Sequence, residues 1–116
     1  MAAVWVYVTA SDNEEAEILG RTIVDERLAA CANILGRTTA IYWWEGRVES
    51  SSEVALVLKT SDDMVASVTE RINALHSYDC PCVIALPIMG GNPGFLCWLE
   101  EETRKPRGDW SDVSVR

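Results

Sequence analysis

The sequence predicts an α+β domain in which helices pack on an antiparallel sheet. Three observations carry this. Runs rich in β-branched and aromatic residues alternate with two runs of helical period. Two strand runs, not one, lie between those helices. Each helical run also opens on residues able to cap a helix.

In chain order, Val4 to Thr9 reads as the first strand. Ser11-Asp12-Asn13-Glu14 follows as a capping box, with Ser11 capping and Glu14 reaching back. Ala16, Leu19, Gly20, Ile23, Val24 and Leu28 then form one apolar helical stripe that ends near Leu28 or Ala29. Cys31 to Trp44 returns to strand character, interrupted at Gly36. Glu45 to Ser52 is turn-like, and Glu53 to Thr60 is the third strand. Ser61-Asp62-Asp63 opens a second helix, with Val65, Val68, Ile72 and Leu75 at helical spacing. His76 to Pro81 is loop, and Cys82 to Ile88 a nearly continuous apolar strand. After Gly90-Gly91, Asn92 can cap and Pro93 suits the first position of a short helix, Gly94 to Thr103. The order is β-α-β-β-α-β plus a terminal helix, a ferredoxin-like sandwich with an extended hairpin of strands two and three. Residues 1–104 form a single domain and 105–116 a tail.

At 116 residues the chain is one domain, long enough to bury a real core. Its 48% hydrophobic content is that of a folded globular chain. A net charge of −8 is the wrong sign for a phosphate backbone or an anionic lipid surface, so neither nucleic acid nor membrane is an expected partner. No apolar run approaches the ~20 residues of a membrane span. No basic residue precedes the apolar N-terminal stretch, which reads as a strand and not a signal peptide. The expected location is the cytoplasm. There Cys31, Cys80, Cys82 and Cys97 stay thiols.

Ile41-Tyr42-Trp43-Trp44-Glu45-Gly46-Arg47 is the most distinctive segment. Strand alternation puts Tyr42 and Trp44 on one side and Ile41 and Trp43 on the other. A hairpin with two apolar faces needs a second surface, and in so short a chain that surface is another copy of itself.

Two constellations are candidates for a site. His76-x3-Cys80-x-Cys82 places an imidazole and two thiols in one stretch, a set whose softness suits Cu(I) or Zn(II). Against that, Cys82 can simply pack as a small hydrophobe. A disulfide between the two cysteines is disfavoured, because i to i+2 geometry around Pro81 is strained. In the second constellation, Lys59 ends an otherwise apolar strand and needs solvent or a carboxylate. Glu45, with Trp44 and Tyr78 beside it, can supply that across a subunit boundary. The result is either a ligand-binding intersubunit cleft or an ion pair that fixes register.

Catalysis finds few parts. There is a single histidine, and no nucleophile elbow, Walker loop or dinucleotide glycine signature. Asp12, Glu14 and Glu15 occupy the positive end of the first helix and would repel a phosphate. No enzymatic activity is expected.

Four ordered segments resemble the CutA proteins, named for divalent-cation tolerance. They are Glu26-Arg27-Leu28-Ala29-Ala30-Cys31-Ala32-Asn33-Ile34, Tyr42-Trp43-Trp44-Glu45-Gly46-Arg47, Leu58-Lys59-Thr60, and His76-Ser77-Tyr78-Asp79-Cys80-Pro81 leading into Ala85-Leu86-Pro87-Ile88. The resemblance runs from about Val4 to Arg104. It implies a ferredoxin-like protomer in a tight homotrimer of PII-like architecture, with the long hairpin reaching a neighbour. It also implies a cytosolic role in divalent-metal tolerance, copper binding and no settled catalytic activity. Three positions depart from the family pattern. Ser77 stands where a proline is usual, Cys82 where a glutamate is usual, and Val8 where some members carry a cysteine.

The expected function is that of a trimeric metal-tolerance protein that binds copper or another divalent ion. The expected ligands are His76, Cys80 and Cys82, and no cofactor is needed for folding. The alternative is a PII-like regulatory module that binds a small metabolite in its intersubunit clefts.

Overall fold

A computed structural model describes residues 2–105 of the chain. The first strand, β1 (Ala3–Ala10), buries Val4, Val6, Val8 and Ala10 and turns Trp5 the other way, as period-2 alternation requires. Helix α1 (Asn13–Asp25) follows and buries Ala16, Leu19, Gly20 and Ile23. Its capping box lies one residue later than the sequence pattern placed it. The Asp12 carboxylate accepts the Glu15 amide at 2.8 Å, and the Glu15 carboxylate accepts the Ser11 amide at 2.9 Å. The Ser11 hydroxyl also donates to Glu15 instead of capping.

Helix α1 ends at Asp25, earlier than the apolar stripe indicated. Arg27 takes a left-handed backbone (φ 63°), its amide donates to Val24 and the Leu28 amide to Ile23. This is the paired bonding of a Schellman stop, which puts an apolar residue just beyond the helix. Leu28 is that residue, and it continues the stripe without continuing the helix.

Strands β2 (Cys31–Trp44) and β3 (Arg47–Ser61) form one long antiparallel hairpin, with a register shift between Ile34 and Gly36. Only Glu45 and Gly46 make the turn, both at positive φ (50° and 77°), as two-residue hairpin turns demand. The turn-like reading of Glu45 to Ser52 is therefore corrected. Ser50, Ser51 and Ser52 are weak strand formers, but each is paired, to Ile41, Ala40 and Thr39. Gly46→Ala should cost about 1 kcal/mol, because a Cβ is disfavoured at that φ. A thermal melt checks it, and an unchanged midpoint would mean that the turn does not hold this geometry in solution.

A single 3-10 turn (Asp62–Met64) leads into α2 (Val65–Leu75), then β4 (Val83–Pro87) and α3 (Pro93–Arg104), capped by Asn92. The sheet order is β2-β3-β1-β4, antiparallel throughout. Helices α1 and α2 cover one face, where Val6, Val8, Leu56 and Leu58 meet Leu19, Ile23, Val68 and Ile72. Gly20 lets α1 approach β2 closely, since a Cβ there would sit 3.2 Å from that of Ala32.

Helix α3 lies on the opposite face. Thr103 bonds Ser61, and the Lys59 ammonium stands 5.4 Å from the Phe95 ring centre. Lys59 and Ser61 alternate with the core-facing Leu58 and Thr60, so they point away from α1 and α2. Val57 and Ala55 are buried on this second face, while Trp5, Ile84 and Leu86 remain roughly half-exposed there. Beyond Gly36 the hairpin projects as an arm and stretches the molecule to 50 × 28 × 23 Å.

Candidate functional site

The loop between α2 and β4 is organised by His76. Its backbone amide closes α2 on the Ile72 carbonyl at 2.9 Å. Its side chain is fully buried. The Tyr78 amide donates to Nδ1 at 3.0 Å, which leaves Nε2 to carry the proton and donate to the Thr9 carbonyl at 2.8 Å. The Tyr78 ring packs on the imidazole with centroids 4.6 Å apart.

Glu15 flanks this centre, its Oε2 3.8 Å from His76 Nδ1. Burial raises the Glu15 pKa, but hydrogen bonds from the amides and hydroxyls of Ser11 and Ser77 outweigh it and hold the carboxyl at about 2. On the other side, the Tyr78 hydroxyl donates to Glu53 at 3.0 Å. Burial, then the Glu53 carboxylate, pushes that phenol up to about 12. The same two causes, in the same order, raise the Cys82 thiol. The hub thus joins α1, β1, the loop and the root of the arm.

The sequence pointed to His76, Cys80 and Cys82 as a metal cluster. The structure does not assemble them as one. Both ring nitrogens of His76 are turned inward and engaged, Cys80 is exposed and Cys82 half-buried, both as free thiols. Among the described residues no group of three or more His, Cys, Asp or Glu side chains is disposed to hold a metal ion. The physical reason is local. A buried β1 carbonyl and a loop amide both need partners, and the imidazole supplies both.

The second constellation is dispersed within one chain. Trp44 and Glu45 are at the arm's tip. Lys59, paired in register with Cys31 and Trp5, lies about 40 Å away at ~3.3 Å per residue. Tyr78 reaches Glu53, between those extremes. Lys59 meets the Phe95 ring and, among the described residues, forms no ion pair with a carboxylate.

The sequence reading missed Thr9, Glu15, Glu53 and Ser77 as members of the hub. Glu15 had a signal, being the third residue after a capping aspartate. The Thr9 carbonyl and the Ser77 amide are backbone groups, and side-chain patterns do not report them.

The arm presents two different faces. Ile41, Trp43 and Val48 share one, with Trp43 and Val48 directly paired. Tyr42 and Trp44 share the other with Glu49 and Arg47. In the single chain Ile41 is 72% exposed, Trp43 74%, Trp44 61% and Val48 60%, far more apolar surface than a free hairpin normally shows to water.

Residues 4–102 match the family model described as CutA1 divalent ion tolerance protein. The chain is 45% identical over 100 residues to "Protein CutA 1, chloroplastic" of Oryza sativa subsp. japonica, covering 86% of this chain and 56% of that one. It is 46% identical over 100 residues to the "Divalent-cation tolerance protein CutA" of Pyrococcus horikoshii, covering 86% and 97%. The chain thus spans little more than half the length of the rice relative. Among solved structures, CutA1 from Oryza sativa superposes with a TM-score of 0.87 at 43% identity, over 90% of this chain and 96% of that one. The periplasmic divalent cation tolerance protein CutA from Archaeoglobus fulgidus gives 0.84 at 38%, over 87% and 98%. The four-stranded antiparallel sheet with three helices is shared with these structures.

Proposed function

Because the chain belongs to the CutA1 divalent ion tolerance family, we propose that it acts in metal tolerance as a non-enzymatic homotrimer that binds soft metal, copper foremost. The ferredoxin-like protomer uses its arm to reach a neighbour, in a PII-like ring. One observation carries the assembly: an arm with Ile41, Trp43, Trp44 and Val48 exposed on its two faces, beside a sheet face with Trp5, Ile84 and Leu86 uncovered. A closed ring buries both surfaces without leaving open contacts.

Metal capture falls to the thiols. Cys80 and Cys82 are free and flank the buried Pro81, and thiolate is the softest ligand class a protein has. A reducing compartment, the cytosol, keeps them in the state that ligation needs. Because the Cys82 thiol is raised, a metal must displace its proton, and binding strengthens with pH. Competition with a Cu(I) chelator tests this. The Cys80→Ser/Cys82→Ser double variant should bind at least tenfold more weakly than wild type, and the difference should shrink as pH falls. Equal affinity would leave both cysteines to packing.

A second reading is favoured by Lys59, a cation with no carboxylate partner among the described residues. In the trimer, Glu45 and Trp44 of a neighbour can close a cleft over it. That cleft is where an anionic metabolite would sit. Thermal stabilisation by an anionic metabolite that Lys59→Ala abolishes would favour this reading over metal.

A further inference from the structure

We propose that Cys80 and Cys82 form a redox pair, in which Cys80 exchanges with a small disulfide from solvent and Cys82 resolves the adduct into a bond between the two. Their spacing keeps them together. Residues two apart cannot have Cα atoms separated by more than ~7 Å, and a disulfide spans up to ~6.8 Å. The loop is pinned on both sides of them. Before it, the Ser77 amide donates to Glu15 at 2.9 Å and the Tyr78 hydroxyl to Glu53 at 3.0 Å. After it, Val83 is paired with Val8.

The other thiols are too far away to intervene. Cys31 shares a cross-strand row with Lys59 and Trp5. That row and the Val8–Val83 row lie three strand spacings and three residues apart, roughly 17 Å at ~4.8 Å per strand and ~3.3 Å per residue. Cys97 belongs to α3, which packs on Lys59 and Ser61 at that same distant end, and its thiol donates to Glu101.

Burial divides the labour between the two. Cys80 is exposed, so a solvent disulfide reaches its sulfur, whereas half-buried Cys82 is screened. Resolution asks for no access from solvent, only for a neighbouring sulfur. In the first step the Cys80 thiolate attacks one sulfur of the small disulfide. A mixed disulfide forms and one small thiolate leaves. Cys82 then gives up its proton and attacks the Cys80 sulfur, expelling the second small thiolate. Two protein thiols are oxidised by two electrons, the small disulfide is reduced to two thiols, and these take up the two protons.

Pro81 makes the bond reversible. A proline holds the residue before it extended, which sets the pair near the long end of the disulfide range. Bonds closed against such geometry reopen readily to thiols, so the resting state is the open dithiol. The pair stands whether or not it takes metal. On the soft-metal reading given above, and resting on it, the closed pair offers no thiolate, and capture is confined to the reduced protein.

The full chain, kept metal-free with a chelator and treated with glutathione disulfide, tests this by mass spectrometry after alkylation. Wild type should lose two alkylatable thiols and yield a bond mapped to Cys80 and Cys82, which excess glutathione reopens. Cys82→Ser should stop at a glutathione adduct on Cys80. Cys80→Ser should form its adduct on Cys82 at least tenfold more slowly. Pro81→Ala, by freeing Cys80 from the extended backbone, should raise the equilibrium constant for closure against glutathione at least tenfold. A wild-type protein that halts at the Cys80 adduct overturns the proposal. So does a Cys80→Ser protein that reacts as fast as Cys82→Ser, or a bond that excess glutathione leaves closed. Should Pro81→Ala not fold, the wild-type reaction and the two serine variants still decide it. A chain that closes the bond but never competes for Cu(I) would sink the metal reading and leave this pair intact.

Discussion

Trp43→Ala should convert the assembled protein to free protomers at micromolar concentration. Trp43 is 74% exposed in the single chain and pairs with Val48 on the arm face that also carries Ile41. Burying a side chain of this size is worth roughly 1.5–3 kcal/mol or more. In the proposed ring the contact recurs at each boundary, so the loss is on the order of 5–9 kcal/mol per trimer. At about 1.4 kcal/mol per tenfold, the assembly constant falls by on the order of a thousandfold or more. Sedimentation equilibrium reads this directly. Ile18→Ala serves as the control, being an exposed apolar residue on α1 and away from the arm. Trp43→Phe should restore much of the association, since an aromatic ring still fills the contact. A wild-type protein that is monomeric, or a Trp43→Ala protein that stays assembled, would remove the arm from the interface.

The strands and their order could be read from the sequence because burial enforces the period. Val4, Val6 and Val8, and Leu56 and Leu58, face one core, and a one-residue slip would expose them all. The boundaries were less legible, each for its own reason. Leu28 extends the apolar stripe of α1 because the Schellman stop wants an apolar residue there, so the pattern and the helix end at different places. Ser50 to Ser52 read as turn because intrinsic propensity is weak where cross-strand pairing decides.

The site shows the larger gap. Ligand-type residues at ligand-like spacing are visible in any sequence, but whether a ring faces solvent or a backbone carbonyl is not. His76 is spent on Thr9 and Tyr78, a use that only the packing of β1 against the loop reveals. Cys80 and Cys82 are free thiols, and Cys82 stands just ahead of β4, which begins at Val83 and not at Cys82 as the apolar run indicated. Trp110 and the rest of the 106–116 tail lie outside the described residues.

The hub's own contribution to stability should appear as a pH-dependent cost of Glu15→Gln. In the folded chain the Glu15 carboxyl is held at about 2, against an ordinary value of 4.5. A depressed acid stabilises the fold where the unfolded chain would also be ionised, above pH 4.5. That stabilisation drains away as pH falls toward 2, because the unfolded chain takes up its proton first. At about 1.36 kcal/mol per pH unit, and allowing for the 15% of the side chain that water reaches, the effect is on the order of 2 kcal/mol. Glu15→Gln should thus be less stable than wild type by about that amount at pH 7. The two curves should converge only below about pH 2, once the folded carboxyl is protonated as well. Denaturant unfolding of both at fixed protomer concentration, from pH 7 to 2, measures the gap, and concentration must be fixed because assembly shifts apparent stability. A gap that stays constant across the range would mean that shape and hydrogen bonding at position 15 matter, and the charge does not. A gap that narrows only between pH 5 and 2 assigns it to the carboxylate, and so to the four Ser11 and Ser77 donors that α1 and the loop hold in place.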